Sequence, residues 1–261
     1  MEFVSSGGEQ QYAGVVRAAD DLVLGLDFDG TLAPIVDDPA AARPDPRAAR
    51  VLRDLARRWG TVAVVSGRPA GFLSAHLPDL GPARLYGLYG LELAEPGSAR
   101  IQTRAGVETW RQAVANAAAD AEAALGSSAV EHKGLTVTLH YRSDPERQDV
   151  IDRLAVALAD RYGLRTHPGK MSRELRPPVK VDKGTVLRDL SAGLSAVAFV
   201  GDDTGDLPAF EALQAMRRSG LATLAVAVGG VETPAAVLEA GDVVVTGTDG
   251  VIAILTALAG G

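Results

Sequence analysis

The sequence contains no cysteine among its 261 residues. Disulfide bridges, zinc–thiolate sites and cysteine nucleophiles are therefore excluded. The chain also lacks a run of the roughly 18 apolar residues that a membrane helix needs. Residues 1–11 have neither the basic start nor the apolar stretch of a signal peptide. Together these absences favour the cytoplasm and argue against a membrane partner.

Positive charge is also in short supply. Lys and Arg number 26 against 33 Asp and Glu, which gives a formal net charge of −7. Like-charge repulsion argues against general binding of nucleic acid. An acidic protein that binds a phosphate must concentrate cations at one place in its fold, so any phosphate site is expected to contain Lys or Arg.

Short apolar runs rich in Val alternate with helical patterns over most of the chain. The runs are Leu22–Leu26, Thr61–Val65, Ala196–Val200, Leu221–Val228 and Asp242–Val245. Such runs indicate strands that are buried on both faces. Their alternation with helices, such as Pro46–Trp59, predicts the α/β class with a mostly parallel sheet. Ligands bind such sheets at the carboxyl ends of the strands.

The middle of the chain has a different pattern. Gly106–Leu125 and Pro145–Tyr162 have the spacing of helices, whereas Leu135–Arg142 and Lys170–Arg176 alternate between apolar and polar residues. Strict alternation predicts half-buried antiparallel strands. We therefore expect an α+β domain at residues 105–178, inserted into an α/β domain formed by residues 1–104 and 179–261.

Acidic residues follow two of the predicted strands. Asp27 and Asp29 lie in DFDGT after the first strand, and Asp202, Asp203 and Asp206 lie in GDDTGD after the third. Carboxylates two residues apart on an extended segment point the same way and repel each other unless a cation lies between them. A hard divalent cation such as Mg²⁺ fits oxygen ligands. The alternative is that each cluster is an acidic turn.

Two further segments have the chemistry to bind phosphate oxygens. Ser66 and Gly67 end the second strand, where a hydroxyl and a backbone N–H at a helix start can hold an anion. Lys183 opens a predicted helix, where a positive charge opposes the helix dipole unless it has an anionic partner. The alternatives are an ordinary turn for Ser66-Gly67-Arg68 and a solvated surface side chain for Lys183.

In their order and spacing, these four segments resemble the haloacid dehalogenase superfamily of phosphotransferases. The resemblance implies a Rossmann-like core with an inserted α+β cap. It also implies that Asp27 attacks phosphorus to form an aspartyl-phosphate. Asp29 would act first as a general acid towards the leaving group and then as a general base towards water. A general acid at Asp29 favours phosphoryl transfer over dehalogenation.

The same resemblance implies a set of ligands. Mg²⁺ would be bound by the carboxylate of Asp27, the backbone carbonyl of Asp29, and Asp202. The phosphoryl oxygens would be held by Ser66, Gly67 and Lys183. Asp203 and Asp206 would contact these ligands without binding the metal or the phosphate themselves.

Within that superfamily the chain resembles the trehalose-6-phosphate phosphatases. The motifs that carry this resemblance are LDFDGTLAPI (26–35), VVSGRP (64–69), GLYGLE (87–92), EHKGLTVTLHYR (131–142), GKMSRELRPP (169–178), DKG (182–184) and GDDTGD (201–206). The resemblance implies Mg²⁺-dependent hydrolysis of trehalose 6-phosphate. It also implies that a cap closes over the core and grips the disaccharide through Lys133, Arg142, Lys170 and Glu174. The alternative is that these strands simply present a polar face to solvent. We expect this for Arg176, whereas for His132 and His140 exposure to solvent and contact with substrate are equally compatible with the sequence.

Two positions depart from the family pattern. Tyr89 stands where many members carry His or Asn, so no role is assigned to it. Gly205 stands where the family usually has the Thr-Asp-Glu of GDDxTDE, which leaves the role of Asp206 open.

Two other functions remain open on this sequence. One is another capped sugar phosphatase, for example one that acts on glucosyl- or mannosyl-phosphoglycerate. A carboxylate-bearing substrate of that kind should favour Arg or Lys in place of Glu174. The other is an inactive regulator that binds sugar phosphates. A pure binding protein needs no nucleophile, so the presence of the complete set argues against it: Asp27, Asp29, Lys183 and Asp202.

Overall fold

The computed structural model describes residues 2–4, 6–36, 38–59, 61–96, 98 and 100–260. The chain divides into two compact units. The larger unit contains the residues up to Gln102 and those from Val181 onward, and the inserted unit is Thr103–Lys180. Among the described residues, no helix has the length and apolar character needed to cross a membrane.

The strands and helices are numbered along the chain. The strands are β1 (Glu2–Phe3), β2 (Leu22–Leu26), β3 (Thr61–Val65), β4 (Arg84–Gly87), β5 (Glu92–Ala94), β6 (Ile101–Thr103), β7 (Val130–His132), β8 (Val137–His140), β9 (Arg165–Gly169), β10 (Ser172–Arg176), β11 (Ala196–Gly201), β12 (Ala222–Gly229) and β13 (Val243–Thr246). The helices are α1 (Ser6–Arg17), α2 (Pro46–Arg58), α3 (Ala70–His76), α4 (Arg111–Leu125), α5 (Gln148–Tyr162), α6 (Lys183–Leu190), α7 (Leu207–Arg218), α8 (Ala235–Ala240) and α9 (Gly247–Gly260).

The larger unit is built on a mostly parallel sheet. In the described part of the chain its order is β1-β13-β12-β11-β2-β3-β4-β5-β6. The strands from β13 to β4 are parallel to their neighbours, whereas β1 and β5 pair antiparallel with β13 and β4. β2 and β11 are adjacent, with Leu26 opposite Val200. The segments that follow these two strands therefore emerge side by side, and the α/β prediction is confirmed.

Both faces of this sheet are covered by helices. Leu24 and Leu26 of β2 belong to one buried cluster, together with apolar residues of α1, α2, α3 and α9. Val23 of β2 and Phe199 of β11 belong to a second cluster with α6, α7 and α8. Successive residues of a strand point to opposite faces, so a strand covered on both sides needs an unbroken apolar run. This requirement explains why the sequence located these strands correctly.

The inserted unit contains a separate antiparallel sheet in the order β7-β8-β10-β9. Helices α4 and α5 pack against it through a third apolar cluster, which includes Ala117 and Ile151 from the helices and Val137 and Leu139 from β8. α5 is followed by Gly163, whose φ of 68° gives the left-handed cap that glycine accommodates. The predicted combination of helices with an antiparallel sheet is confirmed.

Two details of the sequence interpretation are wrong. The strand predicted from Lys170 begins at Ser172 instead, because Lys170 and Met171 form the turn between β9 and β10, with a φ of 50° at Met171. The strand predicted at Leu135–Arg142 is not half-exposed, since Thr136 and Thr138 on its polar face are buried. No strand or helix was predicted at the start of the chain, where the structure has β1 and α1.

Candidate active site

The DFDGT segment forms a tight turn directly after β2. The N–H of Asp27 donates to the carbonyl of Val200 at 2.9 Å, which continues the pairing of β2 with β11 by one residue. Phe28 is fully buried and packs edge-on against Phe72. Because alternate residues point in opposite directions, this anchoring of Phe28 turns Asp27 and Asp29 away from the apolar core.

Glycines allow the two acidic segments to approach each other. A Cβ atom on Gly30, whose φ is 75°, would lie 2.1 Å from a carboxylate oxygen of Asp202. A Cβ atom on Gly201 would lie 2.3 Å from the carboxyl carbon of Asp206. Any other residue at either position would push an acid out of place. The glycines therefore permit the close packing of Asp202 and Asp206 in this site.

Three carboxylates from these segments meet in the interior. Asp27, Asp202 and Asp206 are all buried, and each offers a carboxylate oxygen within 4.8 Å of the others. Asp206 was the acid whose role the sequence left open. Its Oδ2 accepts hydrogen bonds from the N–H groups of Asp202 at 2.9 Å and Asp203 at 3.0 Å, while Asp203 caps the N–H of Gly205. The Asp203–Asp206 spacing is that of a capping box, which was the available sequence signal.

Lys183 lies at the centre of this acidic group. Its side chain is 2% exposed, and its Nζ lies 2.8 Å from Oδ1 of Asp27 and 2.6 Å from Oδ1 of Asp206. The alternative of a solvated surface lysine is therefore wrong. Burial by itself lowers the pKa of Lys183, but the charges of Asp206 and Asp27 outweigh burial and raise it well above its ordinary value. Lys183 is thus held in its cationic form.

The remaining negative charge suits a divalent cation. Burial raises the pKa of the Asp27 carboxyl well above its ordinary value, Lys183 lowers it, and Asp206, Asp203 and Asp202 raise it again. One lysine thus only partly offsets these acids. A cation beside Asp27 would favour the ionised carboxylate. Oxygen donors of this kind fit a hard cation such as Mg²⁺.

Asp29 is held by Arg68 instead of joining the buried acids. The guanidinium donates from Nε to one carboxylate oxygen at 2.7 Å and from its NH2 group to the other at 2.8 Å. Arg68 also lies over the ring of Phe72, and its backbone N–H donates to the hydroxyl of Ser66 at 3.2 Å. The sequence interpretation assigned no role to Arg68. Its only signal was its place in SGR, because pairing with Asp29 depends on the adjacency of β2 and β3.

Glu174 is the centre of a buried polar group in the inserted unit. It accepts hydrogen bonds from the hydroxyl of Thr136 at 2.8 Å and from Nε of Arg176 at 2.7 Å, and it lies 3.5 Å from Nζ of Lys133. Burial opposes ionisation, but Lys133, Arg176 and the Thr136 hydroxyl together lower the pKa of Glu174. The expectation of a solvated Arg176 is wrong, since its guanidinium is bound to this carboxylate.

The other candidates in the inserted unit lie at or just beyond the ends of its strands. Arg142 is half-buried two residues beyond the end of β8, and Lys170 is half-buried in the turn between β9 and β10. His140 contacts Glu131 at 2.8 Å. The structure thus places Lys133 beside Glu174. A substrate role stays a prediction for all four residues, Lys133, Arg142, Lys170 and Glu174.

Comparisons with known proteins agree with this arrangement. Residues 25–238 match the family model described as trehalose-phosphatase. A trehalose-phosphate phosphatase of Mycobacterium marinum is 37% identical over 201 residues, which covers 72% of this chain and 50% of that protein. The chain therefore spans about half the length of this curated relative.

Two solved structures extend the similarity to the fold. The C-terminal domain of trehalose-6-phosphate phosphatase from C. albicans matches with a TM-score of 0.79 at 22% identity, covering 99% of this chain and 98% of that one. Trehalose-6-phosphate phosphatase from Aspergillus fumigatus matches with a TM-score of 0.64 at 26% identity, covering 100% of this chain and 99% of that one. Since the family model spans most of the sequence, this chain belongs to the trehalose-phosphatase family.

Proposed function

We propose that this chain hydrolyses trehalose 6-phosphate to trehalose and inorganic phosphate, with Asp27 as the nucleophile. The observation that carries the proposal is the buried carboxylate of Asp27, which lies 2.8 Å from the ammonium group of Lys183 and beside Asp202 and Asp206. Burying these charges without a function would be costly. Membership of the trehalose-phosphatase family supports the choice of substrate.

In the first step, a carboxylate oxygen of Asp27 forms a bond to phosphorus while the bond from phosphorus to the sugar oxygen breaks. Asp29 donates a proton to that leaving oxygen. In the second step, water attacks the phosphorus of the aspartyl-phosphate and transfers a proton to Asp29, which releases phosphate and regenerates Asp27. Lys183, the Ser66 hydroxyl and the N–H of Gly67 would hold the phosphoryl oxygens throughout.

The pairing of Asp29 with Arg68 bears on proton transfer. Both carboxylate oxygens of Asp29 accept hydrogen bonds from Arg68. Asp29 must therefore give up at least one of these bonds and take up a proton from solvent before it can donate that proton to the leaving oxygen. In this proposal, Arg68 keeps the carboxylate oriented between turnovers, and the arriving substrate replaces one of its contacts.

Mg²⁺ is the proposed cofactor. The carboxylates of Asp27 and Asp202 would hold it together with the backbone carbonyl of Asp29. When bound, Mg²⁺ neutralises charge on the transferring phosphoryl group. Asp206 is less suited as a ligand, because its two oxygens already accept hydrogen bonds from Lys183 and from backbone N–H groups.

We propose that the inserted unit supplies the contacts to the sugar. Glu174 and Lys133 present a carboxylate and an ammonium group, both of which pair well with sugar hydroxyls, and Arg142 and Lys170 complete the proposed set. Arg176 holds Glu174 in place through two short contacts. The ionised state of Glu174 supports a neutral, hydroxyl-rich ligand over one that carries a carboxylate.

The test is phosphate release from a panel of sugar phosphates, including trehalose 6-phosphate and both phosphoglycerate glycosides, with Mg²⁺ and with excess EDTA. We expect the highest kcat/KM for trehalose 6-phosphate, loss of activity in EDTA, and recovery with Mg²⁺ but much less with Ca²⁺. Ca²⁺ prefers more ligands at longer distances.

Other outcomes would contradict parts of the proposal. A higher kcat/KM for a phosphoglycerate glycoside would contradict the proposed substrate but not the proposed phosphatase mechanism. Binding of sugar phosphates without any turnover would indicate the regulator. Full activity in EDTA would exclude the proposed Mg²⁺ dependence.

A further inference from the structure

The turn after β4 holds two consecutive residues, Leu88 and Tyr89, in the left-handed region of backbone conformation. Their φ angles are 49° and 60°. Large side chains rarely adopt this conformation, and it persists only where the surrounding structure enforces it, most often at functional sites. The turn therefore calls for a functional explanation that the mechanism above does not supply.

The backbone of this turn is bound to the loop that ends β3. The N–H of Leu88 donates to the carbonyl of Arg68 at 2.9 Å, and the N–H of Tyr89 donates to the carbonyl of Ser66 at 2.8 Å. The two loops thus hold each other in register. As a result, the Tyr89 side chain is directed by the same loop that carries Ser66 and Gly67, two of the proposed phosphate-binding residues.

The phenol ring of Tyr89 lies between the loop that carries Ser66 and Gly67 and the acidic loop that carries Gly205. A Cβ atom on Gly67 would lie 2.6 Å from the Tyr89 hydroxyl oxygen, and one on Gly205 would lie 3.4 Å from its Cε1. The Nζ of Lys183 lies 5.9 Å from the centre of the ring. The ring is therefore adjacent to every segment that carries a proposed phosphate-handling group, except the DFDGT turn.

Tyr89 and Gly205 are also the two positions at which the sequence departs from the family pattern. A residue larger than the usual His or Asn stands at 89, and a residue without a side chain stands at 205. A Cβ atom on Gly205 would lie in van der Waals contact with the ring, 3.4 Å from its Cε1. The two departures are thus neighbours in space, since the ring of Tyr89 lies against Gly205.

We propose that the Tyr89 hydroxyl contacts the phosphoryl group of the substrate and donates a hydrogen bond to one of its oxygens. The inference rests on the proposed phosphatase function. The hydroxyl lies beside Gly67, whose N–H is a proposed phosphoryl donor, and a phenol is a neutral donor. Hydrogen bonds to a charged phosphoryl oxygen are stronger than those between neutral groups. Tyr89 would thus supplement Lys183 without adding charge.

The test compares wild type with Tyr89→Phe, which keeps the ring and removes the hydroxyl. Tyr12→Phe is the matched control, since Tyr12 lies on α1 with its ring against Phe3. We would measure kcat/KM for trehalose 6-phosphate and for a small aryl phosphate, and the binding of inorganic phosphate by calorimetry with Mg²⁺. For Tyr89→Phe we expect losses of about ten- to a hundredfold on both substrates and weaker phosphate binding, as for one hydrogen bond to a charged group. Tyr12→Phe should match wild type.

Unchanged phosphate binding and unchanged kcat/KM in Tyr89→Phe would overturn the proposal. A loss on trehalose 6-phosphate alone would also overturn it, because the hydroxyl would then contact the sugar. If wild type cleaves only the aryl phosphate, the proposed substrate fails while the aryl phosphate and calorimetry still decide the role of Tyr89. Should Tyr89→Phe fail to fold, Tyr89→Asn replaces it, because Asn tolerates the left-handed backbone conformation. A folded Tyr89→Asn protein with wild-type phosphate affinity would contradict the proposal.

Discussion

At the scale of single residues, the central feature is a set of buried acids around one buried lysine. Asp27, Asp202 and Asp206 crowd their carboxylates together, and Lys183 contacts two of them. Such an arrangement favours chemistry at the expense of stability, which is common at functional sites. The two effects can be separated by experiment.

Asp27→Asn should abolish turnover while leaving the fold intact. The amide is no longer a nucleophile, so kcat should fall by at least several orders of magnitude. Removing one of three crowded negative charges should keep or raise the melting temperature in EDTA. Asp54→Asn, an exposed substitution on α2, is the control and should behave as wild type. Retention of even a few per cent of the activity in Asp27→Asn would rule out the assigned nucleophile.

Asp206→Asn should lower kcat strongly. The amide cannot balance the charge of Lys183, whose Nζ lies 2.6 Å from the Asp206 carboxylate. Lys183 keeps Asp27 as a partner. An Asn side chain has only one acceptor oxygen, however, so it cannot accept both from Lys183 and from the N–H groups of Asp202 and Asp203, and urea denaturation should also show a loss of stability. Asp203→Asn is the matched control, because Asn caps as well as Asp does. Equal effects of the two substitutions on kcat would show that Asp206 only shapes the loop.

At the scale of elements, β10 connects stability to pH through Glu174. This carboxylate is buried beside Thr136 of the inserted sheet, and although burial opposes its ionisation, Lys133 and Arg176 keep its pKa below the ordinary value of 4.5. A lowered pKa in the folded state means that the ionised carboxylate stabilises the fold above the unfolded pKa. That contribution is lost as the pH falls through the lower, folded pKa.

Hydrogen exchange should reveal this dependence. In wild type, amide protection of β8 and β10 should be constant above about pH 5, after correction for intrinsic exchange, and should decrease as the pH drops below 4.5. Glu174→Gln should have lower protection at neutral pH and a smaller decrease in acid. Asp152→Asn, which removes the 2.8 Å contact to Arg173, provides an acid-to-amide control in the same unit. If the loss of protection in acid is the same in Glu174→Gln as in wild type, another titrating group must cause it.

At the scale of the whole molecule, the proposed division of labour gives a substrate-dependent prediction. Glu174→Gln should reduce kcat/KM for trehalose 6-phosphate by roughly tenfold or more, as expected for a lost charged hydrogen bond. Hydrolysis of a small aryl phosphate should be nearly unchanged, because that substrate has no sugar to bind. Both substrates should be measured on one preparation, with Asp152→Asn as the control. Equal losses on both would mean that Glu174 supports folding or chemistry instead.

Much of the fold follows from the sequence alone because its determinants are local. A strand covered on both faces must be apolar at every position, and Leu22–Leu26 and Thr61–Val65 coincide with β2 and β3. DFDGT and GDDTGD follow such strands, and parallel strands present their carboxyl ends at one edge. These two facts predict that Asp27 and Asp202 lie at the same edge of the sheet, and the adjacency of β2 and β11 then brings them together.

The pairing of individual side chains depended on the tertiary structure. The contacts of Lys183 with Asp206, of Arg68 with Asp29 and of Tyr89 with Gly67 join segments that are distant in sequence. Alternation along Leu135–Arg142 correctly identified a polar face, but polarity suggested solvent where the structure buries Thr136 against Glu174. Local spacing sets the direction of a side chain relative to its own strand. Whether that side chain meets solvent or an opposite charge is decided by strand order and register, which bring the partner to it.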